Sequence, residues 1–397
     1  MMLLKMYVVV SVLILFCLSS CNNNNSVDKN VKEIKFDLVD KELRLTHFVD
    51  SIQYFKIAEP EGVFFSNEVD FILSRNYMLI NDWGTQKLHL LTINGKYLCE
   101  IGQIGRAEFE YGSLSACALD EDEELVFVVD NSSQRLLQYD FSGSHIRSIP
   151  LNVVAPLFIR VLENKKLLLF TQPGPLDELL DYPNIYVISY DGQEFVKKHL
   201  IAPKKNNQYR AASLFPAEEG YGIHMDCNDT IFYFTTDKGY FPGYVKKHKQ
   251  LRPVDNPGLN VDRRPYLDIL HPVVESSNFI FFNAALDRRW KGLVYDKGSD
   301  ECFNLSYRGD FLKGNYMEND YDFGYPFWPN GQIDKKTLYQ LVDPKAFLTY
   351  AKQIREQNFQ AAHRKEGMDR RKDEFELFTD LVDENDFRVL VIAHFKY

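Results

Sequence analysis

A unit of about fifty residues recurs along this chain, and repetition at that period restricts the fold more than any other feature of the sequence. Each unit holds an apolar run, a polar gap, a second apolar run ending at a Gly turn, and a further strand. The second run and turn read LHLLTINGKYLCEI from Leu88 to Ile101, LLQYDFSGSHIRSI from Leu136 to Ile149, IYVISYDGQEFVKK from Ile185 to Lys198 and GLVYDKGSDECFNL from Gly292 to Leu305. Their turn glycines are Gly95, Gly143, Gly192 and Gly298, spaced by 48, 49 and 106 residues, and TTDKGYFPGYV with Gly239 supplies the member between the last two. Asn94-Gly95 and Asp191-Gly192 sit between strands of period two and predict tight type I′ hairpins, because Gly and Asn take up positive φ readily. The strand before each hairpin is also legible, in NYMLIN, ELVFVVD, KKLLLF, TIFYF and NFIFF.

Four short strands per unit, repeated, make the pattern of a propeller blade, whereas a β-sandwich requires no fixed period. Five units run from about Glu68 to Ser306, and the ends of the chain supply a sixth. SIQYFKIA (Ser51–Ala58) is expected to join RVLVIAHFK (Arg388–Lys396) in the last blade, which closes the ring and leaves no long sheet edge. The predicted fold class is therefore all-β, a six-bladed β-propeller over residues 34–397. The 30 Phe and 23 Tyr suit pleated, half-buried surfaces, and 45% hydrophobic with 26% charged residues excludes a disordered chain. A helical insertion of about residues 343–386 interrupts the last blade. Asp343-Pro344 opens it with a side-chain cap and Pro at the first helical position, and Phe347, Ala351 and Ile354 follow on one face. A second helix after Gly367 is expected to carry Phe378, Leu381 and Val382 as its apolar stripe.

The first twenty residues read as an address. Lys5 precedes the apolar run from Tyr7 to Leu18, which is too short for a membrane span of about 20 residues. Leu18-Ser19-Ser20-Cys21 resembles the lipobox of bacterial lipoprotein signals. That resemblance implies removal of residues 1–20, a diacylglycerol on the Cys21 thiol, and a polar tether over 21–33. Asn22 is not the Asp of an inner-membrane retention signal, so an outer-membrane anchor is implied. Whether the fold sits on its periplasmic or its outer face is not encoded there. Cys99, Cys117, Cys227 and Cys302 are far apart without CxxC spacing, and are expected to be free thiols in strands. The net charge of −10 argues against nucleic acid as a partner.

No motif for a nucleophile or a nucleotide is present: neither G-x-S-x-G, G-x-G-x-x-G nor a Walker loop occurs. His224, Asp226, Cys227 and Asp229 approach a metal set, but no second ligand pair accompanies them, and the run reads as a strand ending in a turn. The acidic run Asp120–Glu124 lacks the spaced carboxylates and Gly of a Ca²⁺ loop. No metal and no cofactor is expected. The densest unusual segment, GNYMENDYDFGYPFWPNGQ from Gly314 to Gln332, mixes aromatics with carboxylates. Tyr316, Asp320, Tyr321, Asp322, Tyr325 and Trp328 are the candidate ligand-binding residues. Aromatic faces beside carboxylates suit a sugar, and the competing reading is that these rings pack the last blade against its helices. Arg263-Arg264 and Arg288-Arg289-Trp290 are the tight basic clusters of the ring.

SIQYFKIAEPEG, LLTINGKYLCEIGQIGRAEFEYG and LDEDEELVFVVDNSSQRLLQYDFSG resemble the six-bladed β-propeller lipoproteins of Gram-negative bacteria, relatives of the NHL-repeat propellers. The G-x-G-P-x-E-Y of that family survives as Gly105, Glu110 and Tyr111, with Ala107, Glu108 and Phe109 replacing its Gly, Pro and variable position. A stabilising role is expected for this loop. The resemblance brings a fold and an envelope address without an activity. The expected function is a non-enzymatic envelope lipoprotein, a scaffold for a protein or glycan partner. The alternative is a carbohydrate-active hydrolase or lyase with its site at the channel mouth. Replacing Cys21 with Ser is expected to leave the fold intact and move the protein out of the membrane fraction, as cell fractionation would read; persistent membrane association would refute the lipid anchor.

Overall fold

Middle strands in this chain are apolar on both faces, and that decides how the sheets assemble. A sheet with one solvated face alternates apolar and polar residues, whereas a sheet covered on both sides carries continuous apolar runs. The computed structural model describes residues 31–396 apart from 152–155, 172–184, 199–211, 219, 226–228, 248–266, 287–288, 309–312, 315 and 359–367. The signal, Cys21 and most of the tether therefore lie outside the described residues.

Two strands, β1 (Lys32–Lys41) and β2 (Val49–Ile57), precede the repeats. The first unit is β3 (Val69–Leu73), β4 (Tyr77–Asp82), β5 (Lys87–Thr92) and β6 (Tyr97–Glu100). The second is β7 (Leu114–Asp120), β8 (Leu125–Asp130), β9 (Arg135–Asp140) and β10 (His145–Pro150), and the third is β11 (Pro156–Leu162), β12 (Lys166–Thr171), β13 (Ile185–Ser189) and β14 (Glu194–Lys198). Each of these is a four-stranded antiparallel sheet in chain order. Then follow β15 (Ala212–Pro216), β16 (Tyr221–Met225), β17 (Thr230–Thr235) and β18 (Gly239–Lys247), and β19 (Leu267–Glu275), β20 (Phe279–Leu286), β21 (Arg289–Asp296) and β22 (Glu301–Leu305). The short pair β23 (Tyr307–Arg308) and β24 (Lys313–Gly314) leads to β25 (Gly331–Asp334), β26 (Thr337–Val342), helices α1 (Pro344–Asn358) and α2 (Met368–Thr379), and β27 (Arg388–Phe395). The last sheet has the order β2-β27-β26-β25, so the chain's beginning and end share one sheet through the Ser51–Ile57 and Arg388–His394 register.

Among the described residues, apolar layers fill the spaces between neighbouring sheets, and one of them joins the last sheet to the first. Leu79, Leu88 and Leu90 meet Cys117, Val126 and Val128, and Phe127 and Val129 meet Leu167 and Leu169. Phe170 and Val187 meet Phe232 and Phe234, and Tyr233 meets Ile280 and Phe282. Phe281 and Val294 meet Val389 and Val391, while Leu390 and Ile392 meet Met78 and Ile80. The arrangement is mostly β and propeller-like. The outer strands β6 and β10 are more exposed than the middle ones, since each pairs with a neighbouring strand on one side only.

The turns lock neighbouring sheets together. Gly95 and Gly143 take φ values of +85° and +81°. A Cβ there would lie 2.2 Å from the Lys56 carbonyl oxygen of β2 and 2.4 Å from that of Glu100 on β6, each on the preceding sheet. Asn94 and Asp191 do not take positive φ, which corrects the expected type I′ turns. Gly95 N–H donates to the Thr92 carbonyl and Thr92 N–H to the Lys96 carbonyl, the wider loop in which a single left-handed glycine closes the hairpin with a bulge. In the fifth unit Asp300, at φ +60°, holds the left-handed position expected of Gly298.

β1 was not legible as part of the ring. It runs parallel to both β18 and β22 and joins the fourth and fifth units into one nine-stranded sheet, burying Ile34 and Phe36 against Phe282 and Tyr295. Asp343 caps α1 through the Ala346 N–H, as its sequence indicates, and Phe347 and Ala351 are buried. On the second helical segment Phe375, Phe378 and Val382 face inward, but Leu381 is 64% exposed, which corrects its place in the expected stripe. The Gly105–Tyr111 loop satisfies itself: the Glu110 carboxylate accepts from Ala107 N–H and Gln103 Nε2, and Arg135 donates to the Glu108 and Glu110 carbonyls.

Gly143→Ala is expected to cost about 3 kcal/mol, combining the left-handed φ with backbone collision, and Gly239→Ala, with φ +68° and open space around it, only about 1 kcal/mol. Chemical denaturation of the two variants reads the difference; equal losses would show that φ alone matters.

Candidate functional site

The aromatic segment is anchored by its own polar groups. Asp320 accepts from the Thr46 N–H at 2.9 Å and the Thr46 hydroxyl at 2.6 Å, tying the segment to the chain before β2. Asp322 is buried and accepts the Tyr54 hydroxyl at 2.9 Å and the Gly324 N–H at 2.9 Å. Tyr54 lies among Phe347, Phe375 and Phe378 of the helices, and Tyr325 packs against Phe347 and Tyr350. Trp328 donates its indole N–H to Asn283 on the neighbouring sheet at 2.9 Å. Tyr321 donates to the Asp50 carbonyl and carries the Arg371 guanidinium 4.2 Å above its ring. Tyr316, Asp320, Tyr321 and Trp328 keep part of their surface exposed, whereas Asp322 and Tyr325 do not. The structure thus brings the six candidates together as the joint between the last sheet and its helices. Arg263, Arg264, Arg288, Asp226 and Cys227 lie outside the described residues.

The open concavity is elsewhere, on the axis of the ring. A cavity of about 900 Å³ is bounded by the first strands of the units: β3 with Asp70, β7 with Cys117, β11 with Arg160, β15 with Ser213 and β25 with Gln332, and by Val274 of β19. Gln332 reaches across part of the axis, donating to the Pro216 carbonyl at 2.6 Å and the Glu275 carbonyl at 2.8 Å and accepting the Glu275 N–H. That closes the side occupied by the fourth to sixth units. Tyr221 donates to the Val161 carbonyl at 2.7 Å, stitching the fourth unit to the third.

Arg160 is the central cation of this lining. It donates to its neighbour's carbonyl, Ile159, at 2.9 Å and to Leu214 of the next unit at 3.2 Å. Burial pulls its pKa down, while Tyr221, Cys117, Tyr339 and Asp70 pull it up; a guanidinium stays charged regardless. Burial pushes the Cys117 thiol up to about 12, toward its protonated form. Tyr339 is likewise pushed up to about 12 by burial. The carboxylates around the cavity each accept hydrogen bonds from the chain: Asp70 from Trp83, Asp120 from Tyr190, Glu121 from Asn76, Asp122 from Arg75 and Asp334 from Lys336 and Thr337. Burial raises the Glu121 carboxyl, but bonds from Ser74 and Asn76 outweigh it and hold the group below its ordinary value.

None of Asp70, Arg160 and Ser213 was singled out from the sequence. The available signal is a polar residue breaking the first strand of successive units, in VDFIL, PLFIRVL and ASLFP. These strands are too short and mixed for periodicity to reveal them.

The model of the family described as "Domain of unknown function (DUF4934)" matches residues 32–393, so the chain belongs to that family. None of the curated proteins matches it in sequence. Among solved structures, a Bacteroides fragilis protein named as an exported protein shares 15% identity at a TM-score of 0.64, covering 92% of this chain and 100% of that one. A Bacteroides vulgatus member of the duf4221 family shares 11% identity at a TM-score of 0.45, covering 88% of this chain and 97% of that one. The first likeness establishes the propeller-like fold.

Burial raises the Asp322 carboxyl to about 6, outweighing the bonds from Gly324, Tyr54 and Asn319. Its folded pKa therefore exceeds its unfolded value near 3.8. The native state holds the proton more tightly, so this stabilisation is complete below pH about 4 and is lost as pH rises through about 6. On the order of 3 kcal/mol is at stake over that window. Asp322→Asn is expected to flatten that part of the stability profile, measured by denaturant unfolding between pH 4 and 7; an unchanged slope would exclude Asp322 as its source.

Proposed function

We propose that this DUF4934 member is a non-enzymatic lipoprotein of the outer membrane, whose ring of six β-propeller blades is a scaffold binding a protein or glycan partner. The address at Leu18–Cys21 and the exported relative from Bacteroides fragilis support the envelope location. The cyclic series of six apolar layers supports the count of blades.

One observation carries the binding reading. Every carboxylate of the axial cavity named above accepts a hydrogen bond from the chain, and burial pushes the Cys117 thiol up. Side chains already bonded within the protein form a fixed polar lining of the kind that orients a ligand. Asp320 and Asp322, the acid and base that a carbohydrate-active enzyme would draw on, are bound to Thr46 and Tyr54. In the partner reading, the exposed parts of Tyr316, Tyr321 and Trp328 offer ring faces at the rim of the last blade.

The test is a glycan array together with an activity screen on the full chain in detergent. Binding without turnover is the expected result. Release of sugar products would overturn the non-enzymatic reading.

A further inference from the structure

We propose that the axial cavity binds a small organic monocarboxylate, with Arg160 as the residue that grips its carboxylate. The inference rests on the binding reading above and names the ligand class of that protein's cavity.

A guanidinium offers five N–H donors in a planar fork and cannot lose its charge to escape burial. Arg160 uses one for the Ile159 carbonyl and one for the Leu214 carbonyl. Among the described residues the other three meet no acceptor, and no carboxylate stands within ion-pair distance of it. Arg160 is half-buried in the cavity wall, its guanidinium 5.8 Å from the Phe158 ring centroid, and its spare donors can be taken up by an anion from outside. Ser213 lines the same cavity, is 6% exposed, and its Oγ has no hydrogen-bond partner; Asn81, 3% exposed, leaves its Oδ1 equally unmatched. Buried polar atoms without partners are rare in native proteins, and two side chains of this one cavity, Ser213 and Asn81, are in that state.

The chemistry selects among anions. The planar fork matches a carboxylate through two parallel hydrogen bonds. Asp70, Asp120 and Glu121 border the same space, so a doubly charged phosphate meets about twice the repulsion there that a single carboxylate does. Those oxygens, with Asn81 Oδ1, instead suit hydroxyl or ammonium donors on the rest of the ligand. About 900 Å³ is ample for a molecule the size of a sugar acid or an amino acid.

The experiment is isothermal titration of the full chain in detergent with D-glucuronate and with L-alanine, which separate hydroxyl from ammonium donors, and with D-glucose and inorganic phosphate as controls. At least one carboxylate is expected to bind with a Kd below about 1 mM. Glucose and phosphate are expected to bind at least about tenfold more weakly, and Arg160→Lys, which keeps the charge and loses the fork, to weaken the carboxylate by about tenfold or more. A second readout needs no variant: the bound carboxylate should slow modification of Arg160 by phenylglyoxal, followed by peptide mass spectrometry. Absence of binding by both carboxylates, equal binding of phosphate or glucose, or unchanged affinity in Arg160→Lys would each overturn the site. Turnover of the bound carboxylate would instead overturn the non-enzymatic reading and leave the site standing. Capture of a glycan with no carboxylate binding would do the reverse.

Discussion

Burial of both faces of every sheet is the constraint on which this structure depends. A four-stranded sheet whose middle strands are apolar on each side cannot rest with one face in water; at roughly 25 cal/mol per Å² the exposed area would cost more than the domain's stability. Arranging sheets in a cycle gives each one a neighbour on either side, with an apolar layer shared between them. The cycle must then close, and it closes covalently remote ends: β2 pairs with β27, so Leu390 and Ile392 can meet Met78 and Ile80. The turn glycines belong to the same constraint, since Gly95 and Gly143 let hairpins press against the backbone of the preceding sheet where a methyl group would collide.

Closing a ring in this way leaves an axis that apolar layers do not reach. First strands border it, and there Asp70, Arg160, Ser213 and Gln332 bring polar side chains among the apolar ones. Gln332 spends its amide on two other units, and Tyr221 spends its hydroxyl on a third contact of the same kind, so part of the axis is sealed by the protein itself. Arg160 is different in that its fork is only partly used. The same fold therefore yields both the stitching that holds the units in register and the cavity that stitching leaves open.

How much of this was legible depended on the length scale of the signal. The hairpins around Gly95, Gly143 and Gly192 and the pairing of residues 51–57 with 388–395 rest on local chemistry repeated several times, and they could be read directly. Asp343-Pro344 announced α1 for the same reason. The turn type was misread because Asn-Gly is compatible with two hairpin geometries, and only the backbone angles tell them apart. β1 escaped because a single strand with apolar residues at 34 and 36 resembles a tether until two sheet edges stand ready for it. Leu381 was assigned inward by periodicity, but the helix ends at Thr379 and the spacing no longer applies.

The candidate site divides along the same line. The sequence by itself determined that Tyr316 to Trp328 is an aromatic cluster with carboxylates and that the units repeat. Only the tertiary structure decided that Asp320 and Asp322 serve Thr46 and Tyr54, and that Asp70, Arg160 and Ser213, far apart in the chain, border one cavity. The physical reason is that burial and hydrogen-bond satisfaction are properties of neighbours brought together by ring closure, and a linear pattern encodes which residues repeat, not which of them face the axis.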